Sequence, residues 1–221
     1  MIDFAQARRT MVDGQVRTND VTDARLLAAL LAVPREHFVP APSRPIAYLD
    51  RDIPVGGSGA SARWLLKPMV LARLVQAAGV RENDRVLDVG SASGYSAAVL
   101  GRLAASVVAL EEDAALARTA TENLAALAAA NVQVVSGPLV AGWPARAPYD
   151  VIVLEGSSEI APQPLLGQLA EGGRLVCVLG RAPIGKGTVY RRVAGRVSAS
   201  PVFDAVAPVL PGFMKPAEFV F

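Results

Sequence analysis

Five short apolar runs rich in Val, Ile and Leu recur along the chain after its first third. They cover residues 85–88, 106–110, 132–135, 151–154 and 174–178. Runs of this length without polar alternation are typical of strands buried on both faces of a parallel sheet. Helical stretches separate them, at 95–103, 113–128 and 163–169. The alternation predicts an α/β fold, a Rossmann-like doubly wound sheet that is mostly parallel.

The chain before and after this region follows other patterns. A helix is predicted from Thr22, a good N-cap residue, to Ala32, and a second from 66 to 78 with Gly79 as its left-handed terminator. Residues 40–63 are rich in Pro, Gly and Ser, and predict loop and turn with one short strand at 52–55.

At the other end, residues 188–193 and 197–206 predict two strands joined by a short turn, hence an antiparallel C-terminal pair. We expect one domain over 1–221, with a helical and loop cap over 1–80 and the Rossmann-like core over 81–221.

Composition excludes several classes of protein. The longest apolar run, Leu26–Val33, is far shorter than the roughly 18 residues of a bilayer span. Charged residues interrupt the first twenty positions, so no signal peptide is predicted and a cytoplasmic location is expected. The net charge of +2 comes from scattered residues, which predicts no nucleic-acid partner. The single histidine, His37, and the single cysteine, Cys177, cannot supply the ligands of a zinc site, so no metal is predicted. Cys177 is expected to be a buried strand residue.

The segment RVLDVGSASGYSAAVL, at 85–100, joins the first core strand to a helix through small residues. Gly90, Ser91, Ala92 and Gly94 let a ligand approach the backbone closely. Glu111 closes the next strand about twenty residues on, where a carboxylate can accept hydrogen bonds from both hydroxyls of a ribose.

A nicotinamide dinucleotide is the alternative ligand, but its motif requires glycines that would fall on Gly90, Ala92 and Tyr95, and only the first is present. Asp88 at the end of the strand would repel a pyrophosphate and suits a cationic sulfonium cofactor. The pattern therefore favours S-adenosylmethionine.

Several further motifs occur in a fixed order along the chain. They are MVDGQV at 11–16, VPREHFVP at 33–40, AYLDRDIPVG at 47–56, the segment at 85–100 and EGGRLVCVLG at 171–180. On this ordered set the chain resembles the protein-L-isoaspartate O-methyltransferases, which are class I S-adenosylmethionine-dependent methyltransferases. The resemblance implies protein repair by methylation of isoaspartyl carboxylates.

The resemblance also implies which residues hold the cofactor. They are Asp88, Gly90, Ser91, Ala92, Gly94, Tyr95, Glu111 and Glu112, with the backbone at Gly137, Pro138 and Leu139. Pro138 stands where the family has the acid of a GDG turn, so a hydrogen bond to adenine would need another donor or acceptor.

The chain departs from the family in the segment that lines the methyl-transfer pocket. The family's GQTISQP-like hydroxyl positions fall on Trp64, Leu65 and Leu66, and the nearest hydroxyls, Ser58 and Ser61, require a gap. Glu155 follows the fourth core strand, where the family has small residues. It is expected either near the pocket or as a surface acid at a helix N-terminus. No catalytic residue is assigned; Ser61, Trp64, Leu66 and Glu155 are candidates for the pocket lining.

Three functions are compatible with these residues. The first is methylation of a peptide or protein carboxylate by an O-methyltransferase of the isoaspartyl type, which needs no general base because the acceptor is already ionised. The second is a small-molecule O- or N-methyltransferase in which Glu155 acts as a base or binds a cation. The third is a cofactor-binding relative that has lost isoaspartyl activity. His37 and Trp143 are expected to have packing or surface roles.

Overall fold

Six α-helices and nine strands make up the regular structure of residues 2–216, the part of the chain that this computed structural model describes. The helices are α1 Phe4–Met11, α2 Ala24–Ala32, α3 Pro68–Ala78, α4 Tyr95–Gly101, α5 Ala114–Ala126 and α6 Gln163–Leu166. The strands are β1 Ile53–Gly56, β2 Arg63–Leu65, β3 Arg85–Val89, β4 Ser106–Glu111, β5 Val132–Ser136, β6 Tyr149–Ser158, β7 Leu169–Arg181, β8 Ile184–Val193 and β9 Arg196–Asp204.

Seven strands form the central sheet, in the order β5-β4-β3-β6-β7-β8-β9. The first five are parallel, and β8 and β9 are antiparallel to their neighbours. The chain leaves β3 towards β4 and β5, then crosses back to β6 on the other side of β3. The carboxyl end of β3 is thus the point where the winding direction reverses, and doubly wound folds bind ligands at such a point. The predicted architecture and the antiparallel C-terminal pair are confirmed.

Successive residues of the parallel strands point into two different apolar clusters, one on each face of the sheet. Val86 belongs to the cluster that also contains residues of α1, α2 and α3, whereas Leu87 and Cys177 belong to the other cluster. The N-terminal segment and the sheet therefore share one core. Burial raises the pKa of the Cys177 thiol to about 12, so this side chain is an apolar filler.

Several predicted boundaries were wrong by one or two residues. Helix α2 is capped by Asp23, whose carboxylate accepts from the amides of Arg25 and Leu26, and not by Thr22. Helix α3 begins at Pro68. Proline suits the first position of a helix, because the backbone N–H that it lacks would have no partner within the helix there. Gly79 does end it in the left-handed region, with φ 56°.

The segment 40–63 was predicted as loop with one strand, and the structure contains two. Strand β1 pairs with β2 as an antiparallel hairpin outside the main sheet, with Pro54 opposite Trp64 and Gly56 opposite Arg63. Strand β2 is only three residues long, too short for a periodic pattern to identify.

Two of the family-like motifs meet in a buried polar network that fastens the N-terminal helix to the loop before β1. The Tyr48 hydroxyl donates to Glu36 and accepts from Arg8 Nε at 2.8 Å, while Arg8 Nη2 lies 3.2 Å from Glu36 Oε1. Further on, Asp52 accepts from the amide of Lys67 at 2.8 Å and so satisfies a donor at the start of α3. These motif residues support the loop that leads to the hairpin.

The helices in the described part of the chain are too short to cross a membrane. The longest, α5, has 13 residues, and none combines the length and the apolar character that a bilayer crossing requires.

Removal of Arg174 should destabilise the fold more than removal of any exposed arginine. Its guanidinium bonds Asp84 Oδ2 at 2.6 Å and the carbonyls of Ala78 and Gly79 at 2.5 Å, at the buried end of α3. Arg174→Met would leave Asp84 as an unpaired buried charge, which costs about 3–5 kcal/mol. Urea unfolding at pH 7 measures this loss. Arg191, its exposed cross-strand neighbour on β8, is the control, and Arg191→Met should change stability by less than about 0.5 kcal/mol. Equal losses in the two variants would contradict this role of Arg174.

Candidate functional site

The bend between β3 and α4, residues 90–94, is a tight turn at the carboxyl edge of the sheet. Gly90, Ala92 and Gly94 all have positive φ, at 81°, 50° and 94°. The amides of Gly90 and Ser91 both donate to the carbonyl of Leu110 at the end of β4, at 2.8 and 3.2 Å. Positive φ at Ala92 is strained for a residue with a Cβ, so the surrounding hydrogen bonds must hold it. The predicted bend of small residues is therefore present, and hydrogen bonds hold it against the end of β4.

Glu111 is the group that holds this bend from the side of β4. Its carboxylate is fully buried and accepts backbone N–H bonds from Ala92 at 2.7 Å, Glu112 at 2.9 Å and Asp113 at 3.1 Å. Amide donors of this kind stabilise a buried negative charge. Glu111 thus links the bend to the strand that follows it.

Arg63 completes the environment of Glu111. Its Nη2 lies 2.8 Å from Glu111 Oε2 and its Nε lies 3.1 Å from Oε1, and both side chains are at most 3% exposed. The hairpin of β1 and β2 delivers Arg63 to this position. Gly56, opposite Arg63, permits the hairpin to approach α5, since a Cβ there would meet Leu116 Cδ1 at 3.0 Å.

A second pair of acids lies on the other side of the bend. Asp88 ends β3 with no exposed surface and accepts from Ser96 Oγ at 2.7 Å. Glu155 on the neighbouring β6 is 6% exposed, so the interpretation as a surface acid was wrong. Burial raises the pKa of Asp88 to about 7 and raises that of Glu155 well above its usual range; the charge of Glu111 adds to the first shift and the charge of Asp88 to the second. Burial and repulsion therefore favour the neutral form of Glu155 at neutral pH.

Unpartnered polar atoms gather around these acids. Six buried side-chain atoms of the described residues lack a hydrogen-bond partner, and five of them surround the bend. They are Arg35 Nη1, Asp88 Oδ1, Ser91 Oγ, Tyr95 OH and Glu155 Oε1. The Arg35 guanidinium stacks over the Tyr95 ring at 4.8 Å. Proteins seldom leave buried polar atoms unpaired, so such a cluster points to a polar ligand or to water.

The cavity among these atoms is much smaller than a nucleoside site. It measures about 10 Å³, the space of one water molecule, whereas ligand pockets have several hundred Å³. Arg63 and Leu210 fill the remainder, because a Cβ on Gly90 would lie 2.7 Å from Arg63 Nη2 and 3.2 Å from Leu210 Cδ2. The unpartnered polar atoms are of the kind that a charged amino-acid group requires, and Arg63 covers Gly90 and the carboxylate of Glu111.

Larger clefts lie elsewhere. One of about 250 Å³ is lined by Arg85 and Arg146 at the amino ends of the strands, and one of about 450 Å³ lies between α5 and β5. Neither touches the bend, and the first is at the edge of the sheet opposite to that where doubly wound folds bind ligands.

The structure brings together most of the predicted pocket residues. Trp64, Leu66 and Glu155 line the small cavity with Gly90, Ser91, Ala92 and Tyr95. Ser61 does not reach it: this residue is exposed, and its hydroxyl donates to the carbonyl of Ser58 at 2.9 Å. The carboxylate of Glu112 is likewise exposed, so only its amide serves the site.

The segment after β5 lies beyond Glu111. The amide of Gly137 donates to the carbonyl of Glu111 at 3.3 Å, and Trp143 covers Gly137, where a Cβ would lie 3.3 Å from its ring. Pro138 is exposed and Leu139 is buried in the core. His37 is exposed on the turn Arg35–Phe38.

Arg63, Arg35 and Leu210 are the site residues that the sequence analysis did not identify. One indication of Arg63 was available: three acids placed at neighbouring strand ends require a buried cation, and Arg63 stands alone in an otherwise apolar stretch before Lys67. Arg35 lies within a motif, but its orientation follows from the fold of the loop.

Comparison with known proteins identifies the family. Residues 6–202 match the family model of protein-L-isoaspartate(D-aspartate) O-methyltransferase. The chain belongs to this family of S-adenosylmethionine-dependent methyltransferases. A protein-L-isoaspartate O-methyltransferase of Methanoculleus marisnigri is 41% identical over 173 residues, 78% of this chain and 77% of that one. One of Koribacter versatilis is 37% identical over 91% of this chain and 89% of its own.

Solved structures of the family share the fold. A protein-L-isoaspartate O-methyltransferase superposes with a TM-score of 0.81 at 24% identity, covering 93% of this chain and 66% of that one. A Plasmodium falciparum protein described as such an enzyme in complex with S-adenosyl-L-homocysteine has a TM-score of 0.77 at 18% identity, covering 92% and 97%. The resemblance inferred from the ordered motifs is confirmed.

The proton of Glu155 should make stability depend on pH. The folded pair retains a proton that the unfolded chain loses near pH 4, so the free energy of unfolding falls as the pH rises from about 4 to about 7. Glu155→Gln, which keeps a donor without a titrating group, should be more stable than the wild type at pH 8 by roughly 1–3 kcal/mol and similar to it at pH 4.5. Urea unfolding across this range measures the difference. Glu122→Gln, on the exposed face of α5, should follow the wild type. A Glu155→Gln profile parallel to the wild type would refute the shared proton.

Proposed function

We propose that this chain transfers the methyl group of S-adenosylmethionine to a peptide or protein carboxylate, with isoaspartyl residues as the acceptor. The family match over residues 6–202 carries the proposal. The unpartnered polar atoms around the bend support it, because they provide a buried site for a small polar ligand at the ligand-binding edge of the sheet.

We assign the cofactor contacts as follows. Asp88, Ser91 and Glu155 would hold the amino-acid end through their unpartnered oxygens, and Glu111 would hold the ribose. Gly90, Ala92, Gly94 and Tyr95 shape the bend, and the backbone of Glu112 and of Gly137, Pro138 and Leu139 lies towards the adenine. When bound, the cofactor supplies an electrophilic methyl group on a sulfonium.

Glu155 does not oppose an anionic acceptor, although a carboxylate at this position would be expected to repel one. Its raised pKa favours the neutral form near pH 7, so the pair with Asp88 carries less negative charge than two ionised carboxylates would. A buried carboxyl with a raised pKa can also serve as a general base, so a small-molecule acceptor that must be deprotonated stays the alternative.

Arg35 and Tyr95 replace the donors that the hydroxyl-bearing segment would supply. Trp64, Leu65 and Leu66 offer no hydroxyl, but Arg35 Nη1 and Tyr95 OH are buried donors without partners beside the cavity. Arg35 Nε and Nη2 are held by the carbonyls of Ala47 and Leu66, both at 2.8 Å, so the guanidinium is preorganised. A fixed cationic donor in a water-poor site suits an acceptor carboxylate, whose methylation requires positioning and no base.

The remaining expectations stay predictions. They are a peptide or protein partner that contains isoaspartate, the absence of a nucleic-acid partner, and a cytoplasmic location.

A labelled-methyl assay tests the function. Wild-type protein with labelled S-adenosylmethionine should label an isoaspartyl peptide and leave the matched aspartyl peptide unlabelled. Asp88→Asn should lower kcat/KM by about 10- to 100-fold, the scale of one charge-assisted hydrogen bond. Asp204→Asn, at an exposed carboxylate of β9, is the control and should have no effect. Label in neither peptide, from protein shown to bind the cofactor, would exclude the isoaspartyl acceptor.

A further inference from the structure

Arg63 uses all of the acceptor capacity that Glu111 has left. A carboxylate offers about four lone-pair sites. The amides of Ala92, Glu112 and Asp113 take three of them, and Arg63 donates three further hydrogen bonds to the same two oxygens, with its Nε shared between both. No site remains for a ribose hydroxyl while Arg63 stays in place.

The guanidinium also covers the backbone that the nucleoside would approach. Its Nη2 lies 2.7 Å from the position of a Cβ on Gly90, and only about 10 Å³ is left between the bend, Trp64 and Glu155. The same atom thus closes the bend and neutralises the sugar-binding acid.

Charge explains why an arginine is stable here and what could replace it. Asp88 and Glu111 lie at the carboxyl ends of the adjacent strands β3 and β4, and Glu155 follows the last residue of β6 that pairs with β3. Arg63 lowers the pKa of both Asp88 and Glu155 against the effect of burial. A buried anion cluster needs a counter-cation. S-Adenosylmethionine carries positive charge on its sulfonium and ammonium groups, and S-adenosyl-L-homocysteine keeps the ammonium group, so either ligand brings a cation that can take over this role.

The hairpin that carries Arg63 is not part of the central sheet, so a displacement of Arg63 would break none of the hydrogen bonds of that sheet. Strands β1 and β2 pair with each other and not with the seven-stranded sheet, and a register irregularity lies between Pro54 and Gly56. Gly57 and Gly59, in the connection between the strands, have positive φ of 67° and 54°, which glycine adopts without strain.

We propose that Arg63 is an internal occupant of the ribose position, and that the cofactor binds only when this side chain leaves Glu111. The proposal rests on the proposed function. We call the form in which Arg63 contacts Glu111 the closed form. Arg63 then sets the cofactor affinity by competition, because only the molecules that are not in the closed form can bind the cofactor. Arg63 is a gating residue and takes no part in methyl transfer.

Calorimetric titration with S-adenosyl-L-homocysteine tests the competition without turnover. Arg63→Gln removes the charge and keeps a side chain of similar length, so it should bind about 10-fold tighter or more than the wild type, as expected if the closed form exceeds about nine tenths of the molecules. Arg196→Gln removes an exposed arginine from β9 and should bind as the wild type does. Equal or weaker binding by Arg63→Gln would overturn the proposal. If none of the three folded proteins binds the probe, the proposed function itself fails.

Chemical labelling of the wild type provides a second measurement that does not depend on how the variant folds. Phenylglyoxal should leave Arg63 unmodified in the free protein, because only 3% of this residue is exposed, and should modify it at millimolar S-adenosyl-L-homocysteine. Two other arginines serve as internal references. Arg35 has no exposed surface and should stay unmodified, whereas the exposed Arg196 should be modified with and without the ligand. Protection of Arg63 at this concentration, as read by peptide mass spectrometry, would also overturn the proposal.

Discussion

Concentrated negative charge inside the protein is the constraint that shapes the site. Asp88 and Glu111 lie at the carboxyl ends of β3 and β4, Glu155 lies on the adjacent β6 just beyond its pairing with β3, and each is at most 6% exposed. Burying one such charge without compensation is prohibitive. The protein meets the cost in three ways: backbone amides around Glu111, a proton held by Glu155 beside Asp88, and the guanidinium of Arg63. The amides and the guanidinium bring positive charge or partial positive charge to the acids, and the proton removes one negative charge. Together they leave a small cavity lined by unpaired polar atoms.

The sheet explains why these acids meet. Residues that close neighbouring parallel strands lie side by side, and the order β4-β3-β6 places the ends of those strands around one bend. The runs of Val, Ile and Leu predicted the strands because strands buried on both faces must be apolar throughout. The small residues after Val89 predicted the bend for an equally local reason, since Gly90 and Gly94 adopt backbone angles that larger residues avoid.

Long-range partners could not be predicted from the sequence in the same way. Arg63 and Glu111 are 48 positions apart, and the three-residue strand that carries Arg63 has no periodic pattern. Glu155 had two equally reasonable interpretations, and only the fold decides that it faces Asp88. Ser61 shows the converse: a hydroxyl close in sequence to the expected position bonds its own turn and stays at the surface. Local chemistry identified the elements of the site, whereas its electrostatics depend on tertiary contacts.

The same charges connect structure and function. In the proposed function a neutral Glu155 is compatible with an anionic acceptor, Arg35 offers a fixed donor where the predicted hydroxyls are lacking, and a cationic cofactor substitutes for Arg63. The chain belongs to the protein-L-isoaspartate O-methyltransferase family, and Trp64 and Leu66 line its small cavity.

A crystal structure of the wild type grown with S-adenosyl-L-homocysteine tests the central claim most directly. The account predicts the nucleoside against Gly90, its ribose hydroxyls on Glu111, and the Arg63 guanidinium displaced from that carboxylate. A ligand bound elsewhere, or one bound at the bend with the Arg63–Glu111 pair intact, would contradict it.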